Sequence, residues 1–86
     1  SKSSLVGLSN SLAKEYGRYN ITSNVISLGY FNSPLWNRLK EEKKKELLKE
    51  VPSNQIGSIK DIIRAIKFIK NTKYLNGSNI KLDGGI

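Results

Sequence analysis

The order of its sequence patterns indicates that this 86-residue chain has an α/β fold, with two parallel strands and about three to four helices. Residues 21–28 and 79–82 have the composition of strands, and the residues between them carry helical patterns. Strands joined by a long helical crossover lie parallel, and the connection is right-handed. Because parallel strands need neighbours and cover on both faces, we expect further strands outside these residues.

The composition allows at most one small domain, which buries about 60% of its unfolded surface and is marginally stable. The sequence has no Cys and no His, so it predicts neither a disulfide nor an ordinary zinc site. The absence of Cys fits a reducing compartment, and we expect a cytoplasmic protein. No stretch resembles a signal peptide or has the roughly 18 apolar residues of a membrane span, so no membrane partner is predicted.

The net charge of +8 comes from 15 basic and 7 acidic residues and allows two interpretations. One is a solvated surface rich in Lys, and the other is a small basic domain that binds nucleic acid. Basic residues are spread along the chain, and few of them are Arg, the better side chain for phosphate and base contacts. We therefore favour the solvated surface, predict no nucleic-acid partner, and keep the nucleic-acid-binding domain as an alternative.

The first pattern predicts a helix over residues 3–19 with an apolar stripe on one face. The stripe consists of Leu5, Leu8, Leu12 and Tyr16. Small residues, among them Gly7, Ser9 and Ser11, would allow close packing against another element or a ligand, and plain packing is the simpler interpretation. The helix could end at Gly17 or Asn20, and we favour Asn20 because the strand pattern follows it directly.

Residues 21–28 are β-branched-rich and uncharged, which predicts a strand that is buried on both faces and ends at Gly29. Ser33 is then a plausible N-cap, with Pro34 at the first helical position. The charged segment that follows predicts a solvated helix or helix pair. Its Leu35 and Trp36 suggest either an apolar partner or ordinary helix packing.

The clearest helix is predicted from Ser58 onwards, where Ser58 and Asp61 have the spacing of a capping box. Isoleucines at helical spacing predict a buried stripe along it. They are Ile59, Ile62, Ile63, Ile66 and Ile69. A turn at Asn76–Gly77 then leads into the short strand at 79–82.

Four stretches, in order, resemble the C-terminal third of a short-chain dehydrogenase/reductase, nearest to the beta-ketoacyl carrier-protein reductases. "SK" with "SSLVGLSNSLAKE" resembles the end of the Tyr-x-x-x-Lys motif and its helix, and "NITSNVISLGYFNSP" resembles the strand ending in Asn-x-x-x-Pro-Gly-x-x-x-Thr. "IGSIKDIIRAIKFI" resembles the Gly-x-Pro-Glu-Asp-Ile-Ala helix, and "LNGSNIKLDGGI" resembles the last strand with its Val-Asp-Gly-Gly. The resemblance covers essentially the whole chain.

The resemblance implies that residues 1–86 are a C-terminal fragment of a single Rossmann-type domain, a doubly wound parallel sheet of which they form the last two strands. The glycine-rich phosphate loop and the catalytic serine would lie upstream. The catalytic tyrosine would fall three places before Ser1, so this chain alone should be inactive.

The resemblance also implies site residues. Lys2 matches the motif lysine, which holds the nicotinamide ribose and lowers the pKa of the catalytic tyrosine. Gly29 matches the glycine whose missing side chain lets the backbone approach the cofactor, and Phe31 matches the position whose main chain bonds the carboxamide. Ser33 matches a cofactor-binding threonine. Leu28 departs from the pattern, because the family has proline there.

The implied function is that of an NAD(P)-dependent oxidoreductase, which moves a hydride between nicotinamide and a small carbonyl or alcohol substrate. NAD and NADP are both possible cofactors, and no metal site is expected. The resemblance implies a homotetramer or homodimer, paired through the helix at 3–19 and through residues 58–82. Besides the nucleic-acid-binding alternative, a relative that kept the fold as a scaffold without catalysis remains possible.

Overall fold

The computed structural model describes residues 2–86, and for Lys2 it describes the main chain only. The chain forms two strands and four α-helices in the predicted alternation, which confirms the α/β fold. The elements are α1 (Lys2–Tyr16, extended by a 3₁₀ turn at Gly17–Tyr19), β1 (Val25–Leu28), α2 (Pro34–Asn37), α3 (Glu41–Leu48), α4 (Ile59–Asn71) and β2 (Asn79–Leu82).

The two strands pair in parallel, as predicted, with Val25 opposite Asn79 and Leu28 opposite Leu82. Inside the ladder, the buried Ser27 donates its hydroxyl to Asn79 Oδ1 at 2.7 Å, so this polar side chain has a partner. The register brings the carboxyl ends of both strands to one edge of the sheet.

The predicted start of β1 at residue 21 is wrong, because the strand begins four residues later. The residues just before β1 lie beside the turn that precedes β2 and not beside a strand. Side-chain hydrogen bonds and one main-chain hydrogen bond therefore hold them in place. Ser23 N donates to Asn76 Oδ1 at 3.0 Å, and Asn24 Oδ1 accepts from Ser78 N at 3.0 Å. Gly77 N donates to Ser23 O at 2.9 Å.

The end of the first helix is confirmed at Asn20, which adopts the left-handed conformation with φ 61°. Its N–H donates to Gly17 O at 3.0 Å. An asparagine tolerates this conformation because its short polar side chain can bond locally.

Helix α1 packs on the strands through its small residues, whereas its leucine stripe stays open. Ser9 and Ala13 are buried, and Ser9 Oγ bonds Ser23 Oγ at 2.8 Å. Asn76 Nδ2 donates to Ala13 O at 3.0 Å. Leu8, by contrast, is 57% exposed, so the small side chains are what allow the close approach.

Helix α4 begins at the predicted N-cap, since Ser58 Oγ accepts from Lys60 N at 3.2 Å. The capping box is only half formed, because Asp61 instead pairs with Arg64 at 3.6 Å on the next turn. The predicted burial of the isoleucine stripe is wrong for this chain: Ile59 and Ile63 are exposed and Ile66 is 52% exposed. Within residues 2–86 no strand lies over that face.

The apolar core of the described chain is small. Its buried apolar side chains are Ala13, Val25, Trp36 and Val51. Leu28 on β1 is exposed, so the predicted burial of that strand on both faces is not met by the described residues. None of the described helices is both long enough and apolar enough to cross a bilayer.

We predict that the 86-residue chain expressed alone folds poorly, because the apolar faces of α1 and α4 have nothing to cover them. Circular dichroism during thermal melting tests this, and the expected result is a broad, non-cooperative transition. A monomer with a cooperative melt and the helix content of the structure would contradict the prediction.

Candidate functional site

The candidate site lies at the carboxyl edge of the sheet, where both strands end. Ligand sites of open α/β sheets occur at this edge, in the crevice outside the carboxyl ends of the strands. Three of the predicted site residues, Gly29, Phe31 and Ser33, follow β1 directly, and Asp83 to Gly85 follow β2. The structure therefore brings these three residues to one loop beside the end of the second strand.

Gly29 is held tightly against the residue that follows β2. Its N–H donates to Leu82 O at 2.9 Å, and a Cβ built on Gly29 would lie 2.7 Å from the Asp83 Cα. Real Cβ atoms essentially never approach backbone so closely. Packing within the chain thus explains why residue 29 is a glycine. The cofactor role of Gly29 stays a prediction.

Phe31 is fixed by its neighbours, while its own main-chain groups stay open. Gly57 N donates to Tyr30 O at 2.8 Å, and Asn32 N donates to Gly57 O at 3.3 Å, which forms a short parallel bridge around Phe31. A Cβ on Gly57 would overlap the Phe31 ring. Among the residues that the structure describes, none bonds the Phe31 amide or carbonyl, so neither group has a hydrogen-bond partner there.

Ser33 caps α2, as the sequence indicated. Its Oγ accepts from Trp36 N at 3.2 Å, and Pro34 occupies the first helical position. A hydroxyl has one donor and two acceptor sites, so accepting this bond leaves its O–H free to donate. Capping and binding a ligand are therefore compatible at Ser33.

Tyr30 connects the loop after β1 to the end of the helical excursion, which comprises residues 31–49. Its hydroxyl donates to Glu50 Oε2 at 2.9 Å, and its ring lies against Trp36 with centroids 5.5 Å apart. The bond to the Glu50 carboxylate favours the neutral phenol and raises the pKa of Tyr30 above its ordinary value. Trp36 is only 8% exposed, so its indole serves packing, whereas Leu35 is 74% exposed.

A groove of about 820 Å³ opens beside these residues, between the loop, α4 and the end of β2. Its aromatic lining comes from Tyr30, Phe31 and Phe68. Charged side chains of both signs, such as Arg64 and Asp83, complete the wall. The groove therefore offers apolar area together with a few polar groups, which is the usual character of a small-molecule site.

The side chain of Lys2 lies outside the described residues, so the structure leaves its predicted role open. The described main chain of α1 shows only the direction in which the helix runs. The carboxyl half of the helix contacts the amino side of the strands, through Ala13 to Asn76 and Ser9 to Ser23. The helix therefore runs from the carboxyl edge of the sheet towards its amino edge.

Sequence reasoning missed Tyr30, Glu50 and Gly57. Tyr30 and Glu50 are 20 residues apart, and no local pattern joins them. Gly57 did carry a signal, because it is a glycine directly before an N-cap serine where the loop must pass close to another segment.

The sequence of the chain is similar to those of known reductases. The family model described as Enoyl-(Acyl carrier protein) reductase matches residues 1–86. The chain is 34% identical to the 3-oxoacyl-(acyl-carrier-protein) reductase FabG of Haemophilus influenzae over 99% of its length. It is 35% identical to the 3-oxoacyl-(acyl-carrier-protein) reductase of Homo sapiens and 33% identical to carbonyl reductase family member 4 of Xenopus laevis, in both cases over 100% of its length.

The chain spans about a third of these relatives, covering 36% of the Haemophilus protein and 35% of the human one. The matched part thus contains the candidate loop after β1 and the final strand. The remainder of each relative has no counterpart among these 86 residues.

We predict that Gly29→Ala lowers the free energy of unfolding of the intact protein by about 1–3 kcal/mol, because the new methyl group displaces the Asp83 main chain. Chemical denaturation measures this. Equal stability of Gly29→Ala and the wild type would contradict the close approach.

Proposed function

Because this chain belongs to the short-chain dehydrogenase/reductase family, we propose that the protein containing it is an NAD(P)-dependent oxidoreductase acting on a carbonyl or alcohol substrate. The observation that carries the proposal is the loop after β1. It presents the open amide and carbonyl of Phe31 at the carboxyl edge of the sheet, where such sheets bind nucleotides.

The residues of this loop fit the nicotinamide end of the cofactor. The Phe31 N–H and C=O provide one donor and one acceptor, which matches the donor and acceptor of a carboxamide. The Ser33 hydroxyl keeps a free O–H while it caps α2. Gly29 keeps the loop close to β2. When bound, the nicotinamide supplies or accepts the hydride.

Lys2 is the residue that we assign to catalysis. Its ammonium would hold the ribose hydroxyls and favour the phenolate of the motif tyrosine, which the family has four residues before this lysine. A phenol whose pKa is brought nearer to the working pH exchanges its proton with the substrate oxygen more readily. The helix that begins at Lys2 leads away from the carboxyl edge, as this role requires.

The substrate that we propose is a 3-oxoacyl thioester, since two of the relatives described above are named as 3-oxoacyl-(acyl-carrier-protein) reductases. The aromatic lining of the groove supports an apolar acyl chain beside the loop. Reduction of the 3-oxo carbon would give the 3-hydroxy product.

We also propose a symmetric homo-oligomer, which pairs through α1 and through α4 with β2. Light scattering on the intact protein tests this, and the expected particle is a tetramer or a dimer. A clean monomer would contradict the proposal.

In the intact protein, Lys2→Ala should lower kcat/KM for carbonyl reduction by about 10²–10⁴-fold, because it removes the charge that activates the tyrosine. Lys14→Ala is the matched control on the same helix, since Lys14 is exposed and forms no ion pair within the described residues. Steady-state kinetics with NADPH and with NADH measures both. Unchanged kcat/KM in the Lys2 variant would reject its role, and nucleotide binding without turnover by the wild type would identify a non-catalytic scaffold.

A further inference from the structure

Tyr30 contacts three other segments of the chain, two of which are distant in sequence. Its carbonyl accepts from Gly57 N at 2.8 Å, its ring lies on the buried Trp36, and its hydroxyl donates to Glu50 Oε2 at 2.9 Å. It lies between Gly29 and Phe31, in the loop after β1 at residues 29–33, which we call the nucleotide loop. A shift of Tyr30 would therefore move the Phe31 main chain with it.

The acceptor of the hydroxyl bond is an exposed side chain, but the main chain that carries it is held in place. Glu50 precedes Val51, which is only 4% exposed and packs on the turn after β2. A Cβ on Gly84 would lie 2.7 Å from Val51 Cγ1, which shows how closely that side chain packs. The Tyr30–Glu50 bond therefore connects two fixed points at the two ends of residues 31–49.

Beyond the Asn32–Gly57 main-chain bond and the buried Trp36 near its start, the excursion between these points has few attachments to the rest of the chain. Helix α3 has no buried residue, and its ion pairs, Lys43–Glu46 and Lys44–Glu41, lie within the helix. Asn37 Nδ2 donates to Asn32 Oδ1 at 3.2 Å, but both residues belong to the excursion. In the described chain, the Tyr30–Glu50 contact is the side-chain hydrogen bond that closes its base.

We propose that Tyr30 is a positioning residue, whose hydroxyl bond to Glu50 closes the base of the excursion at 31–49 and so holds the Phe31 main chain and Ser33 ready to bind the nicotinamide end of the nucleotide. This inference rests on the proposed function. Tyr30 acts through its neighbours, and neither its hydroxyl nor Glu50 needs to touch the nucleotide. The excursion and the nucleotide loop would then become ordered in the same step.

The test compares Tyr30→Phe with Tyr74→Phe in the intact protein. Both changes remove one hydroxyl, but Tyr74 is fully exposed and its side chain has no partner within residues 2–86, while Tyr30→Phe keeps the ring on Trp36. Amide hydrogen exchange of residues 31–49, without nucleotide, reports on the base of the excursion. Fluorescence titration with NADPH and NADH reports on the nucleotide loop.

We expect Tyr30→Phe to speed exchange of residues 31–49 by about two- to tenfold and to weaken nucleotide binding by a similar factor, as for loss of one hydrogen bond. Glu50→Ala should reproduce both effects. Glu50→Gln should largely restore wild-type behaviour, since its amide oxygen can still accept the bond. Glu15→Ala, which removes an exposed carboxylate from α1 that has no ion pair in the described chain and lies outside 31–49, should change neither measurement.

Exchange in Tyr30→Phe equal to that in Tyr74→Phe would overturn the proposal. Faster exchange with unchanged nucleotide affinity would also overturn it, because the bond would then be purely structural. If the wild type bound neither NADPH nor NADH, the proposed function itself would fail. The exchange comparison would still decide whether Tyr30 closes the base of the excursion.

Discussion

The parallel pairing of β1 with β2 is the interaction on which the rest of this structure depends. It places Leu28 beside Leu82, so that the loop after the first strand and the turn after the second begin at the same edge. The contact of Gly29 with Asp83 and the packing of Val51 beside Gly84 both follow from that pairing. Every group that we assign to the nucleotide loop is positioned by a ladder of four residues on each strand.

Three glycines at this edge share one physical task. Gly29 accommodates the Asp83 main chain, Gly57 accommodates the Phe31 ring, and Gly84 accommodates Val51. At each position a methyl group would meet an atom of the neighbouring segment. The loops around the candidate site are therefore packed like a core even though they lie at the surface, which suits a site that must present main-chain groups in fixed directions.

Sequence patterns predicted the local features well, because caps depend on a few adjacent residues. Asn20 ends the 3₁₀ turn that extends α1, and Ser33 and Ser58 cap α2 and α4, as expected. The start of β1 and the burial of the isoleucine stripe were predicted wrongly, because both depend on what lies beside the segment. The Tyr30–Glu50 bond was not predictable, since tertiary packing alone brings these side chains together.

The pairing of strands so distant in sequence also affects how the chain is made. Asn24 and Ser78, which directly precede the two strands, are 54 residues apart. At typical synthesis rates of about 5–20 residues per second, β1 leaves the ribosome roughly 3–10 s before β2. During that interval the edge of Val25–Leu28 that later binds β2 has no partner from this chain. The pairing of β1 with β2 therefore has to wait until the residues between them are made, and the free edge of β1 is exposed to mispairing during that time.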